Sequence, residues 1–559
     1  MKETFKEVPS IWTTGWTDIL NTGTWRSAIP FYQKRLAPCH CACPVDGEIP
    51  TWIMLARKQH YREAWSSLVD NNPFPAVTGR ICHHPCEGAC NRREYDGAVA
   101  VNALEQFVGD LALSEGWALP QPTVALDQKI AVIGGGPAGL SCAYQLKRLG
   151  YKVTIFETRP ELGGVLRYGI PSYRLAKETW DGELRRLEAL GIEVKLNHSV
   201  KASDLSGLEK EYSAVFLALG AQSSKTLPQF SVDNLRVFNG LDFLEKVNRG
   251  EAPPLGQDVV VIGGGSVALD VAGTARRLGS QVKVLALEAR ESLPAQPDEL
   301  TESLEEGVEI LAGVMVQNVG ISFETLSLHC IRVTLDENSP AGVLRPIPLS
   351  GTEFSVSATN VILAVGQDAE LTGWDSVINV GQSLVRVDAN LATNRPGIFA
   401  GGDVTPAERF VSTAIGQGKK AAQSIDKYLK KPYSKGISSK DTQTSQDVVA
   451  YQEINMFYFP EQNREEKGTV AVEERLKNFA ELKIGFSPQQ TQTQSERCFS
   501  CGNCVECDNC FYFCPDMAVV KDSSLTEHYR ILDQFCKGCG SCVQECPRGA
   551  VVLKEETGR

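Results

Sequence analysis

The chain has 559 residues, too many for one hydrophobic core, and its 42% hydrophobic and 22% charged composition is that of an ordinary globular protein. A net charge of −12 excludes the basic footprint of a nucleic-acid binder and offers nothing to anionic lipid; it suits a protein partner with a basic docking patch. There is no apolar run of about 18 residues, and the opening MKETFKEVPSIWTTGW lacks a charged-then-apolar leader, so no membrane span and a cytoplasmic location are expected.

Residues 1–127 are rich in Trp, Pro and Cys, with helical patches at Ile49–Leu55 and Tyr61–Val69, and read as a helical iron–sulfur domain. The 18 cysteines of the chain are clustered: three lie between 39 and 43, three between 82 and 90, six between 498 and 514, and four between 536 and 546. A secreted disulfide protein spreads its cysteines through a short chain, whereas tight Cys-x2-Cys repeats without an export signal indicate metal. In the N-terminal group, Cys39, Cys41 and Cys43-Pro44 are followed by Cys82-x3-Cys86-x3-Cys90. This spacing says metal but does not give the number of clusters.

At Gln128 the texture changes. KIAVIGGGPAGLSCAYQLKRLGYKVTIFE reads as strand, glycine turn, amphipathic helix and strand, and the pattern returns at Asp258 as DVVVIGGGSVALDVAGTARRLGSQVKVLALE. Two such units imply two Rossmann-like dinucleotide domains. In the first, Gly134 permits the tight turn, Gly136 lets the backbone approach a pyrophosphate, and Gly139 packs helix on strand, with Pro137 and Ala138 opening the helix. Glu157 ends the next strand, where a carboxylate accepts from ribose hydroxyls. In the second, Gly263, Gly265, Ser266, Val267 and Ala268 hold the equivalent positions, and Glu288 is either a solvated strand-end acid or a ribose ligand that repels a 2′-phosphate.

The first loop is read as the FAD site because Gly402-Asp403, after the short strand in GIFAGGDV, resembles the second FAD motif of two-dinucleotide-domain flavoproteins. The expected layout is therefore an FAD domain split into 128–250 and 381–430, with the NAD domain at 251–380 inserted. A helix at Val411–Leu429 closes this region. The polar stretch from 431 opens a linker segment, 431–497.

Residues 498–559 read as a ferredoxin-like domain with two [4Fe–4S] clusters. Cys504-x2-Cys507-x2-Cys510-x3-Cys514-Pro and Cys536-x2-Cys539-x2-Cys542-x3-Cys546-Pro form a two-cluster ferredoxin run, in which each fourth cysteine serves the other cluster. One cluster then takes Cys504, Cys507, Cys510 and Cys546, and the other Cys536, Cys539, Cys542 and Cys514. A pair of zinc knuckles is the competing reading, and the repeated Cys-Pro endings count against it. Cys498-x2-Cys501 also resembles a ligand run that the first cluster could draw on.

Taken together, these motifs resemble the small subunit of bacterial glutamate synthase and its relatives, including the N-terminal half of dihydropyrimidine dehydrogenase. The likeness covers about residues 38–430 and rests on Cys-Pro-Val at 43–45, Gly-Arg-Ile-Cys at 79–82, Cys-Glu-Gly-Ala-Cys at 86–90, Leu-Glu-Gln-Phe at 104–107, Gly-Gly-Val-Leu-Arg-Tyr-Gly-Ile-Pro at 163–171, and both glycine loops. It implies that Cys43, Cys82, Cys86 and Glu105 hold one [4Fe–4S] cluster, and that Gly164 and Arg167 belong to the FAD site. Relatives with a second N-terminal cluster carry an extra Cys-x2-Cys before the position of Cys39, where this chain reads FYQKRLAP; Cys39, Cys41 and Cys90 are left as its candidate ligands.

The fused ferredoxin module and TGTWR at 22–26 most resemble the NAD(P)H:acceptor oxidoreductases associated with dissimilatory sulfite reductase. That likeness implies a redox partner in sulfur metabolism. The expectation is an oxidoreductase carrying FAD and at least three clusters, with no side-chain acid or base required for hydride transfer. The sequence is compatible with a homo-oligomer. An electron-input subunit of a glutamate synthase-like complex and a non-catalytic wiring subunit are the rival readings. NAD(H) is expected over NADP(H), because aligning on Leu293-Pro294-Ala295 puts Leu287 and Glu288 where NADP-using relatives carry an arginine pair.

Overall fold

Buried strands of a parallel sheet need apolar residues on both faces, and KIAVI and DVVVI supply them: each buries four of its five residues at the centre of a five-stranded parallel sheet. The computed structural model describes residues 26–230, 235–322, 325–336, 338–339, 344–430, 447–524 and 528–556. The first sheet runs Ile398–Ala400, Ala214–Leu217, Lys129–Ile133, Lys152–Phe156, Glu193–Lys195. The second runs Glu309–Leu311, Gln281–Leu285, Asp258–Ile262, Asn360–Leu363, Val237–Asn239. An antiparallel four-stranded sheet between Val314 and Ala358 packs on the second domain.

The chain crosses between these domains earlier than the 250/251 boundary read from the sequence. Val237–Asn239 already pairs with Val361–Leu363 in the second sheet. The return is earlier too: Gln367–Asp368 pairs back to Ser223–Ser224, and Ala369, Trp374 and Ile378 pack into the first domain's core. A three-residue edge strand such as Val237–Asn239 has no periodicity to read in the sequence.

Helices dominate the N-terminal region. Pro75–Ile81 crosses Val101–Ser114 with backbone against backbone: a Cβ on Gly79 would stand 2.4 Å from Gln106 N, and one on Gly109 2.4 Å from Ala76 N. Only glycine allows so close a crossing, and the crossing sets Cys82 and Glu105 side by side.

Residues 447–496, expected as linker, are instead a strap across this helical domain; residues 431–446 lie outside the described residues. Asn91 Nδ2 donates to Val449 O at 3.0 Å, Tyr95 Oη to Phe459 O at 3.1 Å, and Lys467 Nζ to Gly79 O at 2.7 Å. The Pro488–Glu496 helix packs on Ile49–Arg57. The ferredoxin module is tied in as well, since Ala28–Tyr32 pairs antiparallel with Val551–Glu555 and Arg26 pairs with Glu556 at 2.8 Å. Among the described residues no helix is long and apolar enough to cross a membrane.

Gly109→Val should therefore force the two helices apart and cost at least about 1–3 kcal/mol, the usual range for overpacking. Gly88→Ala, where a Cβ meets nothing within 4 Å, should be near neutral. Thermal melting of the two variants checks the contrast.

Candidate functional site

A cavity of about 830 Å³ lies at the carboxyl ends of the first sheet. Its lining includes Gly134, Gly136, Pro137 and Ala138 of the glycine loop, Glu157 at the strand end, and Gly164, Gly402, Asp403 and Ala414. Gly134 has φ +109°, and Gly263 of the second loop +139°; a Cβ on either would strike the carbonyl of Ala218 or Ala364, so both loops are built alike. Gly139 stands behind the wall, packed on Gly134 O.

Glu157 accepts from Gly135 N through Oε2 at 2.7 Å and from Arg159 N through Oε1 at 2.8 Å. Burial pushes the Asp403 carboxyl above its usual value, against the pull of Arg409. Gln417 Oε1 accepts from Gly402 N and fixes that turn. Arg167 is not in the cavity wall: its Nε donates to Leu162 O at 2.9 Å, and its guanidinium pairs with Glu161 at 3.1 Å and with Asp181. No sequence motif marks Trp374, Glu370 or Lys201, which complete the lining from segments distant in the chain. A cavity of this size, with a helix N-terminus and few polar groups converging, fits an extended dinucleotide.

In the second domain Glu288 repeats the place of Glu157. A Cβ on Gly264 would lie 2.8 Å from Glu288 Oε2, as one on Gly135 would lie 3.0 Å from Glu157 Oε2. Gly265 is the N-cap of the Ser266–Arg277 helix, whose first turn includes Val267 and Ala268. Glu299, on the neighbouring Pro297–Glu305 helix, pairs with Arg174 of the first domain at 2.5 Å and lies 3.8 Å from His83 Nε2 of the N-terminal domain. Arg174 Nη1 donates to both oxygens of buried Asp270 at 2.8 Å. Burial works against ionised Glu299, yet His83, the Arg174 charge and Ser266 together hold its carboxyl at about 2.

The cysteines converge in sets. Cys43, Cys82, Cys86 and Glu105 line a cavity of about 40 Å³ with Asn72, Thr78 and Ser412. Glu105 Oε1 accepts from Thr78 Oγ1 at 2.7 Å and from Asn72 Nδ2 at 2.9 Å, while burial raises its carboxyl to about 7. Burial raises the Cys82 thiol to about 12, with the Glu105 charge adding to it.

In the ferredoxin module, Cys510 feels Cys504, Cys546 and Cys507, so the fourth cysteine of one run stands with the first three of the other. Cys514, Cys536, Cys539 and Cys542 line a cavity of about 20 Å³. Tyr32, brought by the N-terminal strand, donates from Oη to Cys510 Sγ at 3.1 Å. Cys41 is exposed beside Asp46, away from the other thiols, whereas Cys39 and Cys90 lie with Cys498 and Cys501. All 18 cysteines are free thiols. Among the described residues no three His, Cys, Asp or Glu side chains close on a point as ligands of a single ion do. Sets of four thiols, or three thiols and a carboxylate, facing across a gap fit the larger [4Fe–4S] cube.

Three family models match the chain. One described as pyridine nucleotide-disulphide oxidoreductase spans 128–418, one described as dihydropyrimidine dehydrogenase domain II, 4Fe-4S cluster, spans 32–117, and a 4Fe-4S dicluster domain spans 503–550. The chain is 35% identical over 505 residues to the NADP(+)-dependent formate dehydrogenase subunit beta of Moorella thermoacetica, covering 83% of this chain and 70% of that one. It is 32% identical over 515 residues to the NADPH-Fe(3+) oxidoreductase subunit beta of Geobacter sulfurreducens, covering 84% and 76%. It is 32% identical over 398 residues to the NAD-dependent dihydropyrimidine dehydrogenase subunit PreT of Escherichia coli, covering 70% and 91%.

Arg174→Met should strand two buried carboxylates and cost about 3–5 kcal/mol at neutral pH. A depressed carboxyl gives stability that is complete above its ordinary value of 4.5 and lost as pH falls towards about 2. Without the arginine Glu299 is no longer held so low, so the variant has less stability to lose over that range. Thermal melting should show the variant well below the wild type at neutral pH, with the gap narrowing as pH falls below 4.5.

Proposed function

We propose that this chain, which belongs to the pyridine nucleotide-disulphide oxidoreductase family, is the nicotinamide-facing subunit of an electron-transfer complex. It is an iron–sulfur flavoprotein oxidoreductase of the dihydropyrimidine dehydrogenase and glutamate synthase small-subunit type, with a ferredoxin module fused behind. Bound FAD exchanges two electrons with a nicotinamide and single electrons with clusters, which is the chemistry that joins the two kinds of site.

The observation that carries the reading is the placement of the Val411–Lys430 helix. Ala414 lines the large cavity, and Ser412, two residues earlier, lines the small one with Cys43, Cys82, Cys86 and Glu105. On this reading Gly134, Gly136, Pro137 and Ala138 receive the FAD pyrophosphate on a helix N-terminus, and Glu157 accepts from its ribose. Gly164, Gly402 and Asp403 close over the remainder. Cys43, Cys82, Cys86 and Glu105 hold the cluster nearest the flavin, and the two crossed cysteine sets of the ferredoxin module carry the exit.

The electron acceptor is a separate protein. Its support is that all three relatives are named as subunits, and that an acidic chain suits a basic docking patch. The narrower reading, an acceptor in dissimilatory sulfur metabolism, rests on the likeness of TGTWR and of the domain layout; residues 22–25 lie outside the described residues. A place as electron-input subunit of a larger complex is compatible with either.

For the nicotinamide, Leu287 has no donor for a 2′-phosphate and Glu288 repels one, so NADH is the substrate read from this pocket. Two relatives carry NADP or NADPH in their names and one NAD, which leaves the choice to these residues. Wild-type kcat/KM should favour NADH by about tenfold or more, the effect of about 1.4 kcal/mol. Leu287→Arg with Glu288→Arg should move the ratio towards NADPH by a similar factor. A wild type that prefers NADPH would show that another group, such as Arg290, governs the pocket.

A further inference from the structure

Four cysteines are left once the Glu105 site and the crossed ferredoxin sets are filled, apart from exposed Cys41 and the isolated buried Cys142 and Cys330. They are Cys39, Cys90, Cys498 and Cys501, drawn from three distant parts of the chain. We propose that Cys39, Cys90, Cys498 and Cys501 hold a further [4Fe–4S] cluster, in which the pair Cys498-x2-Cys501 from the C-terminal region completes a site opened by the N-terminal domain.

The framework that brings them together is specific and buried. Arg92, two residues after Cys90, donates to the carbonyl of Arg497, the residue before Cys498. The Arg497 guanidinium reaches back to Asp96 at 2.8 Å and to Ala98 O at 3.0 Å, and both arginines are almost wholly buried. Asn91 Nδ2 approaches Cys501 Sγ at 3.5 Å while it donates to Val449 O. On the far side, Arg35 N donates to Gly502 O at 3.2 Å, and Gly502 has φ +74° with no room for a Cβ against Arg35 O. Helix Pro38–Ala42, which carries Cys39, follows at once.

The thiols face one another. Cys39 lies within electrostatic reach of Cys90, Cys498 and Cys501; it packs on the apolar cluster that holds Cys501 and, with Cys90 and Cys498, against the core beside it. The turn at Cys498 matches the other ligand turns. Ser500 N points at Cys498 Sγ at 3.4 Å, as His84 N does at Cys82 at 3.3 Å and Gly538 N at Cys536 at 3.4 Å. Four converging thiols, Cys501 buried and Cys39, Cys90 and Cys498 half-buried, are the donor set of a cluster.

The site lies between the two ends of the proposed route. Cys39 is within electrostatic reach of Cys86 of the Glu105 set. Cys501 is three residues from Cys504 of the ferredoxin module, at most about 11 Å along an extended chain. Arg548, two residues after Cys546, donates to Phe499 O between the new pair, and its charge is felt by Cys498, Cys501 and Cys507. The ligand assignment stands on the thiols alone; the place in the route rests on the proposed function.

Iron, sulfide and zinc analysis of anaerobically purified, fully loaded protein tests the assignment, with flavin content as the control for folding. The wild type should hold about 16 irons and 16 sulfides per chain and no zinc. Cys498→Ala with Cys501→Ala should fall to about 12 irons while keeping its flavin, and Cys41→Ser should keep all 16. A double variant with the wild-type iron count, or a wild type with about 12 irons or with one zinc in place of the fourth cluster, would overturn the proposal. Should the double variant not fold, the wild-type count and metal identity decide. Failure of the proposed function would appear separately, as a wild type whose flavin NADH does not reduce, with the iron count unaffected.

Discussion

Glu105 and the thiols of Cys39, Cys43, Cys82, Cys86 and Cys90 are withdrawn from water inside one small helical domain, and ionised groups in such a place cost several kcal/mol each unless a counter-charge stands beside them. Burial drives Cys43 to about 11 and Glu105 to about 7, so the protein alone favours the neutral forms. Ligands this poor in water's help are well matched to a cationic core, and binding such a core is then part of folding. The close helix crossing at Gly79 and Gly109, the strap from 447 to 496, and the buried arginines all serve to keep water out of these sites.

The same requirement explains why the chain is interlaced. A ferredoxin module appended on a flexible tether would leave its distance from the flavin undefined. Here the first described strand, Ala28–Tyr32, is a strand of the module, and Tyr32 places its hydroxyl on Cys510. Arg35 pairs with Glu453 and Asp447, and Arg92 and Arg497 lock the strap to the helical domain. The nicotinamide domain is held differently, through two chain crossings and the Arg174–Asp270–Glu299 junction, where Arg277 also stacks over Tyr173 at 3.7 Å.

What the sequence made legible was local. The glycine loops, the strand-end acids Glu157 and Glu288, and the crossed ferredoxin spacing each lie within a few tens of residues, where turn geometry and ligand spacing dictate the pattern. Glu105 came from the family likeness and not from the residue itself, which alone reads as a helix-surface carboxylate. What was not legible depends on long-range pairing. Val237–Asn239 is assigned only by its partner at Val361–Leu363, and nothing local in the sequence marks the burial of Arg475 and Arg497, which pair with Glu306 at 3.2 Å and with Asp96 at 2.8 Å. Cys498-x2-Cys501 was visible as a ligand run, but its partners lie some 400 residues away, so proximity in sequence pointed to the ferredoxin cluster. Arg167, carried over with its motif, turns to Asp181 because that acid lies on the adjacent helix.

The central claim is one continuous electron path from the nicotinamide pocket to the ferredoxin module. The direct measurement is to reduce the holoprotein photochemically under anaerobic conditions, add NAD+, and follow NADH by absorbance and the clusters by electron paramagnetic resonance. The account predicts that NADH appears while the reduced-cluster signals decay together with reduced flavin. Flavin that reoxidises while the cluster signals persist would contradict it.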